Sequence, residues 1–125
     1  MSDDTPSTEA RLRLRIFFGD DVMLGPGKAD LLEHISETGS IAAAGRAMAM
    51  SYKRAWSLVE ELNRGYREPL VDSSRGGTKG GGASLTEAGE VVLAHYRKIE
   101  AITAREAAEE IAALQAMLPD MSDGK

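Results

Sequence analysis

Between Arg11 and Gly19 the chain alternates, with Leu12, Leu14, Ile16 and Phe18 set between Arg11, Arg13, Arg15 and Phe17. A period of two predicts a strand with one buried face and its arginines in water. "GDD" at 19–21 turns the chain, "VMLG" can return as a short paired strand, and "GPG" at 25–27 breaks it before a helix. From Lys28 the period becomes helical. Leu31, Leu32 and Ile35 share one face of a helix over Lys28 to Thr38, and Gly39 can end it in the left-handed conformation.

Ser40 can cap a second helix within "IAAAGRAMA", whose small residues allow close packing, with the turn "MAM" after it. Met48 and Met50 in that turn are expected to fill gaps in the core. Ser51 caps a third helix, Tyr52 to about Tyr66, with an inward stripe of Tyr52, Ala55, Trp56, Val59, Leu62 and Tyr66. Lys53, Arg54 and Ser57 are expected on its outward face.

Pro69 stops that helix, and "LVDSS" and "ASL" read as two strands of a hairpin around the glycine loop from Arg75 to Gly82. Thr86 then caps a helix with no proline from Glu87 to Leu118, about 32 residues or roughly 48 Å at 1.5 Å per residue. Its stripe runs through Ala88, Val92, His95/Tyr96, Ile99, Ile102, Ala107, Ile111, Leu114 and Leu118, further than a small core reaches. Another chain is expected to cover the remainder.

These elements predict a mainly α fold with a small β component, a winged helix-turn-helix with a long C-terminal dimerisation helix. The expected organisation is a loose tail at 1–10, the winged domain at 11–86, the dimerisation helix at 87–118 and a tail at 119–125. At 125 residues, one small domain is the natural size. Cysteine is absent, which excludes disulfides and thiolate metal sites, and no signal-peptide pattern or membrane-spanning apolar run occurs. A cytoplasmic protein without membrane association is expected.

The net charge of -5 is unevenly spread. Residues 40–84 hold seven Lys/Arg and four Asp/Glu, whereas each flanking third holds four and eight. Only the segment with the third helix and the glycine loop is positive, as a local nucleic-acid face requires. The loop could cradle a phosphate, grip a nucleic-acid backbone or act as a linker. A nucleotide-binding loop needs Gly-Lys-Ser/Thr directly before a helix, and here Lys79 precedes the run Gly80, Gly81, Gly82. A DNA-binding wing instead uses glycine for close backbone approach, with Arg75, Thr78 and Lys79 neutralising or bonding the sugar-phosphate edge. At the third helix, the cap Ser51 with Lys53, Arg54 and Ser57 offers free N–H groups and cations to phosphates and guanine edges. His34 and His95 lack ligand spacing, so no metal site is expected, and no enzyme motif is visible.

"RLRIFFG", "ETGSIAAAGRAMAMSYKRAWSLVEELN" and "LVDSSRGGTKGGGASLTEAG" resemble the N-terminal DNA-binding domain of the ModE family of molybdate-responsive regulators, itself similar to the LysR-type helix-turn-helix domain. The resemblance covers about residues 11–100, with "SYKRAW" and "GGTKGGG…LTEAG" its most specific pieces. It implies a homodimer that binds an approximately palindromic operator in double-stranded DNA, linked to molybdenum-related genes. Ser51, Tyr52, Lys53 and Arg54 fall at recognition-helix positions; Arg75, Gly76, Gly77, Lys79, Gly80, Gly81 and Gly82 fall in the wing. Dimer contacts are expected at Ile99, Ile102, Ile111, Leu114 and Leu118. Family members carry further molybdate-binding domains, for which the seven residues after Leu118 leave no room. No cofactor is therefore expected in this chain, and a separate effector-binding protein is a candidate partner. The alternative is a dimerising protein-interaction module that keeps the winged-helix fold without sequence-specific DNA binding.

Overall fold

The computed structural model describes residues 9–74 and 82–119. Most of both expected tails, and the loop from Arg75 to Gly81, lie outside them. Strands β1 (Ile16–Phe18) and β2 (Val22–Leu24) form an antiparallel hairpin that pairs Ile16 with Leu24 and Phe18 with Val22. Helices α1 (Pro26–Thr38), α2 (Ile41–Ala47) and α3 (Tyr52–Gly65) follow. A second antiparallel hairpin of β3 (Val71–Ser74) and β4 (Gly82–Leu85) precedes α4 (Glu87–Glu106) and α5 (Ala108–Gln115).

The alternation at 11–16 holds: Leu12, Leu14 and Ile16 are half-buried and the three arginines exposed. The strand is shorter than its pattern, because β2 supplies only three partner residues, and Phe18 at the tip is 53% exposed instead of inward. The extended segment before β1 is held by α4, where the buried Tyr96 hydroxyl donates to the Leu14 carbonyl at 2.6 Å. Burial foremost, then the Glu100 carboxylate, pushes the Tyr96 phenol above its usual pKa, with Arg97 pulling the other way.

Helix α1 begins two residues before the expected Lys28, since Pro26 fits a first turn where no N–H partner is needed. It ends at Gly39, whose φ of 72° is left-handed and whose N–H bonds Ile35 O at 2.8 Å. Leu31, Leu32, Ile35, Val59, Leu62, Leu70 and Tyr96 are the largest fully buried side chains, and Met48 and Met50 pack against that core as expected. Lys28 is buried, donates to Met23 O at 2.9 Å and pairs with Glu61 of α3 at 3.1 Å.

The final helix is not continuous. At Ala107 the backbone turns to φ -97°, ψ 7°, dividing α4 from α5, although the Ala107 and Ile111 N–H groups still reach Thr103 O and Ala107 O. The stretch has neither proline nor glycine to mark the break. Leu118, expected in the helix, lies beyond the end of α5.

Candidate nucleic-acid interface

The two helices of the motif are set by local chemistry. The Ser40 hydroxyl accepts the Ala43 N–H at 3.0 Å, and the Ser51 hydroxyl accepts the Arg54 N–H at 3.0 Å. Between them, the N–H groups of Ala49 and Met50 bond Arg46 O and Gly45 O, which places Ala49 at φ 56°. Left-handed backbone is unusual for alanine and compacts the turn. Crossing is close because a Cβ on Gly45 would come within 3.1 Å of the Ala55 Cβ.

With Ala55, Leu58, Val59 and Leu62 buried, α3 shows its other side to solvent. Ser51, Tyr52, Lys53 and Arg54 are exposed together at its first turn, and Ser57 is half-buried at the edge of the same face. Tyr52 was expected both in the inward stripe and on the binding face. It is not part of the buried stripe, being 57% exposed with its ring edge-on to Trp56 at 6.1 Å. Leu58 takes the place in the buried stripe.

Behind the interface, Asn63 fixes the entry to the wing. Its Oδ1 accepts the Leu70 and Val71 N–H groups at 2.8 and 2.9 Å, and its Nδ2 donates to Val71 O at 3.2 Å. This role had no signal in the sequence. The Thr86 hydroxyl caps α4 by accepting the Gly89 N–H at 3.0 Å and donates to Pro69 O at 2.7 Å. Strand β4 is tied to the helices where the Ala83 N–H bonds Gly39 O at 2.9 Å. The wing and α3 thus flank a cleft of about 630 Å³, with Tyr52, Trp56 and Glu60 on one wall and Ser73, Ser74 and Gly82 on the other.

Of the wing residues expected to contact a partner, Gly82 is half-buried in β4, whereas Arg75, Gly76, Gly77, Thr78, Lys79, Gly80 and Gly81 lie outside the described residues. Further along, Ile99, Ile102, Leu114 and Leu118 are exposed and Ile111 is half-buried. No group of three or more acidic, histidine or cysteine side chains able to hold a metal occurs among the described residues. Nor is any described helix long and apolar enough to cross a membrane.

A compact helix pair with an exposed, capped second helix and a hairpin beside it defines a winged helix-turn-helix domain. The chain belongs to the bacterial regulatory helix-turn-helix proteins of the lysR family, whose model matches residues 28–90. It carries the DNA-binding domain of that family. It is 45% identical over 82 residues to the molybdenum-pterin-binding protein MopB of Rhodobacter capsulatus, covering 66% of this chain and 30% of that protein. It is 33% identical over 88 residues to the DNA-binding transcriptional dual regulator ModE of Escherichia coli K12, covering 70% and 34%. The chain thus spans about a third of the length of these curated relatives. Its fold matches the crystal structure of a CbnR DNA-binding domain in complex with DNA, with TM-score 0.56 and 23% identity over 70% of this chain and 95% of that one.

Proposed function

We propose that the chain is a ModE-like transcriptional regulator that binds an approximately palindromic operator as a homodimer. The observation carrying this reading is the α3 N-terminus: Ser51, Tyr52, Lys53 and Arg54 are exposed together on a helix whose other face is buried. Such a terminus presents free N–H groups and the positive end of the helix dipole to phosphates, while Lys53 and Arg54 can reach guanine edges in the major groove. The cleft beside it would take one sugar-phosphate strand, with Ser73, Ser74 and Gly82 of the wing strands on its far side.

Residues 11–86 would form the reading unit and 87–118 the dimerising arm, with Ile99, Ile102, Ile111, Leu114 and Leu118 facing a second copy. Two recognition helices related by a two-fold axis would then sit about 34 to 36 Å apart or a multiple of it. The names of MopB and of its ModE relatives support a link to molybdenum-related genes. A separate effector-binding protein is a further candidate partner. The test is duplex affinity against salt: log K should fall linearly with log salt, by about 0.9 for each phosphate neutralised. No duplex binding at low salt would instead make the chain a dimerising interaction module.

A further inference from the structure

Helix α1 makes ionic contacts with elements on two sides. Toward α3, its Lys28 pairs with Glu61 at 3.1 Å. Toward α4, its Asp30 and Glu33 accept from one Arg97 nitrogen at 2.8 and 2.6 Å, and Glu33 also accepts from Arg97 Nε at 3.1 Å. Glu100, one turn along α4, accepts from the remaining Arg97 nitrogen at 3.1 Å and so pre-orients the guanidinium. Leu31, Leu32 and Ile35 on the same α1 are fully buried in the core, so this helix cannot shift independently of α3.

From the proposed dimeric reading, on which this inference rests, we infer that Arg97 is a positioning residue that sets the separation of the two recognition helices. Arg97 is the last residue of α4 with a polar bond to α1. Beyond it Ile99 and Ile102 are exposed, and the chain runs on through α5. From Arg97 to the end of α5 at Gln115 the arm measures roughly 27 Å at 1.5 Å per residue. A tilt of about 10° at Arg97 would displace its far end by about 5 Å, more than the roughly 3.4 Å rise of one base pair. A packed apolar contact alone permits such rocking, whereas a forked guanidinium held by carboxylates from α1 resists it. The strut Glu61–Lys28–α1–Asp30/Glu33–Arg97 therefore connects the helix that reads DNA to the arm that sets the half-site spacing.

The experiment uses the full chain and an operator it selects from random duplexes, rebuilt with the half-sites moved one or two base pairs closer or further apart. Wild type, Arg97→Met, Arg97→Lys and the charge-exchanged pair Arg97→Glu with Glu33→Arg are compared by sedimentation and by affinity for each duplex and for a single half-site. The wild type should lose roughly tenfold or more on a one-base-pair shift, a difference of about 1.4 kcal/mol. Arg97→Met should remain dimeric and bind the half-site as well as wild type, yet lose no more than about threefold on the same shift. Arg97→Lys should fall between them, because an ammonium cannot fork, and it carries the test if Arg97→Met does not fold. The exchanged pair should recover part of the spacing preference. Unchanged spacing discrimination in dimeric Arg97→Met and Arg97→Lys overturns the inference while leaving the dimer standing. A monomeric wild type that still binds a half-site overturns the dimer and the positioning role together.

Discussion

Gly89 in the first turn of α4 lies against the backbone of Leu70, so close that a Cβ at position 89 would overlap the Leu70 carbonyl oxygen. That oxygen already accepts the Thr86 N–H at 2.9 Å and cannot readily turn away. Gly89→Ala should therefore force α4 off the wing base and destabilise the fold by about 1 to 3 kcal/mol, as overpacking does. Denaturant unfolding measures it, and a variant as stable as wild type would show that α4 can shift at no cost.

The wing entry depends on one amide. Asn63→Ala would leave the Leu70 and Val71 N–H groups without their side-chain acceptor, at a cost of about 1 to 3 kcal/mol for each that water cannot reach. Asn63→Asp keeps the acceptor and loses only the donor to Val71 O, so it should cost less. Equal losses for the two, measured by thermal unfolding, would place the role of Asn63 in packing instead.

How much of this was legible follows from how local each interaction is. Ser40, Ser51 and Thr86 cap helices through N–H groups three residues on, so residue type and spacing sufficed. Gly39 was legible for the same reason, since φ 72° is a property of that position alone. Asn63 reaches seven and eight residues along a chain that must first turn at Pro69, and no periodicity records such a contact. Arg97 joins residues 64 and 67 positions away, which only the folded packing of α1 on α4 brings together. Tyr52 fits the spacing of the inward stripe, yet the fold leaves it exposed with its ring edge-on to Trp56. At Ala107 the residues are good helix formers, so composition alone predicts a continuous helix.

Alkaline pH should expose the buried tyrosine. The folded-state pKa of Tyr96 is raised above its ordinary value of 10.0, chiefly by burial, so the native state holds the phenol proton more tightly than the unfolded chain. Its contribution is fully present below about pH 10 and is lost as pH rises through the folded value. Tyr96→Phe should remove the bond to Leu14 O, costing about 1 to 2 kcal/mol at neutral pH, and make the decline above pH 10 shallower. Tyr66, also raised by burial, should account for part of the slope that remains. Stability measured from pH 7 to 11 checks both, and an unchanged alkaline slope in Tyr96→Phe would assign the transition elsewhere.

Base readout and backbone contact should separate on substitution. Lys53→Ala or Arg54→Ala should lower preference for the selected operator over random duplex by about 1 to 3 kcal/mol, if that side chain makes a bidentate contact to a base edge. Lys79→Ala, in the wing, should weaken binding to all duplexes alike and reduce the salt slope by about one phosphate. Competition binding on both kinds of DNA measures this, and equal losses for every substitution would move Lys53 and Arg54 from base readout to backbone contact.

The exposed side chains past Arg97 decide whether the chain pairs with itself. Ile99 and Ile102 are 38% and 42% exposed and Leu114 and Leu118 are 65% and 58% exposed, all on the segment that follows Arg97. Apolar area of that extent is costly in water, and a two-fold related copy is the smallest closed assembly that would cover it. Replacing Ile111 and Leu114 together with Glu should yield a folded monomer, because neither belongs to the buried core and the fold built around Leu31, Val59 and Tyr96 stays intact. Each monomer would keep its α3 face and bind one half-site, without the gain in affinity that tethering two reading heads provides. Sedimentation at micromolar protein gives the mass directly. A wild type already monomeric there, with the same mass after the double substitution, would refute the dimer and leave the exposed stripe unexplained.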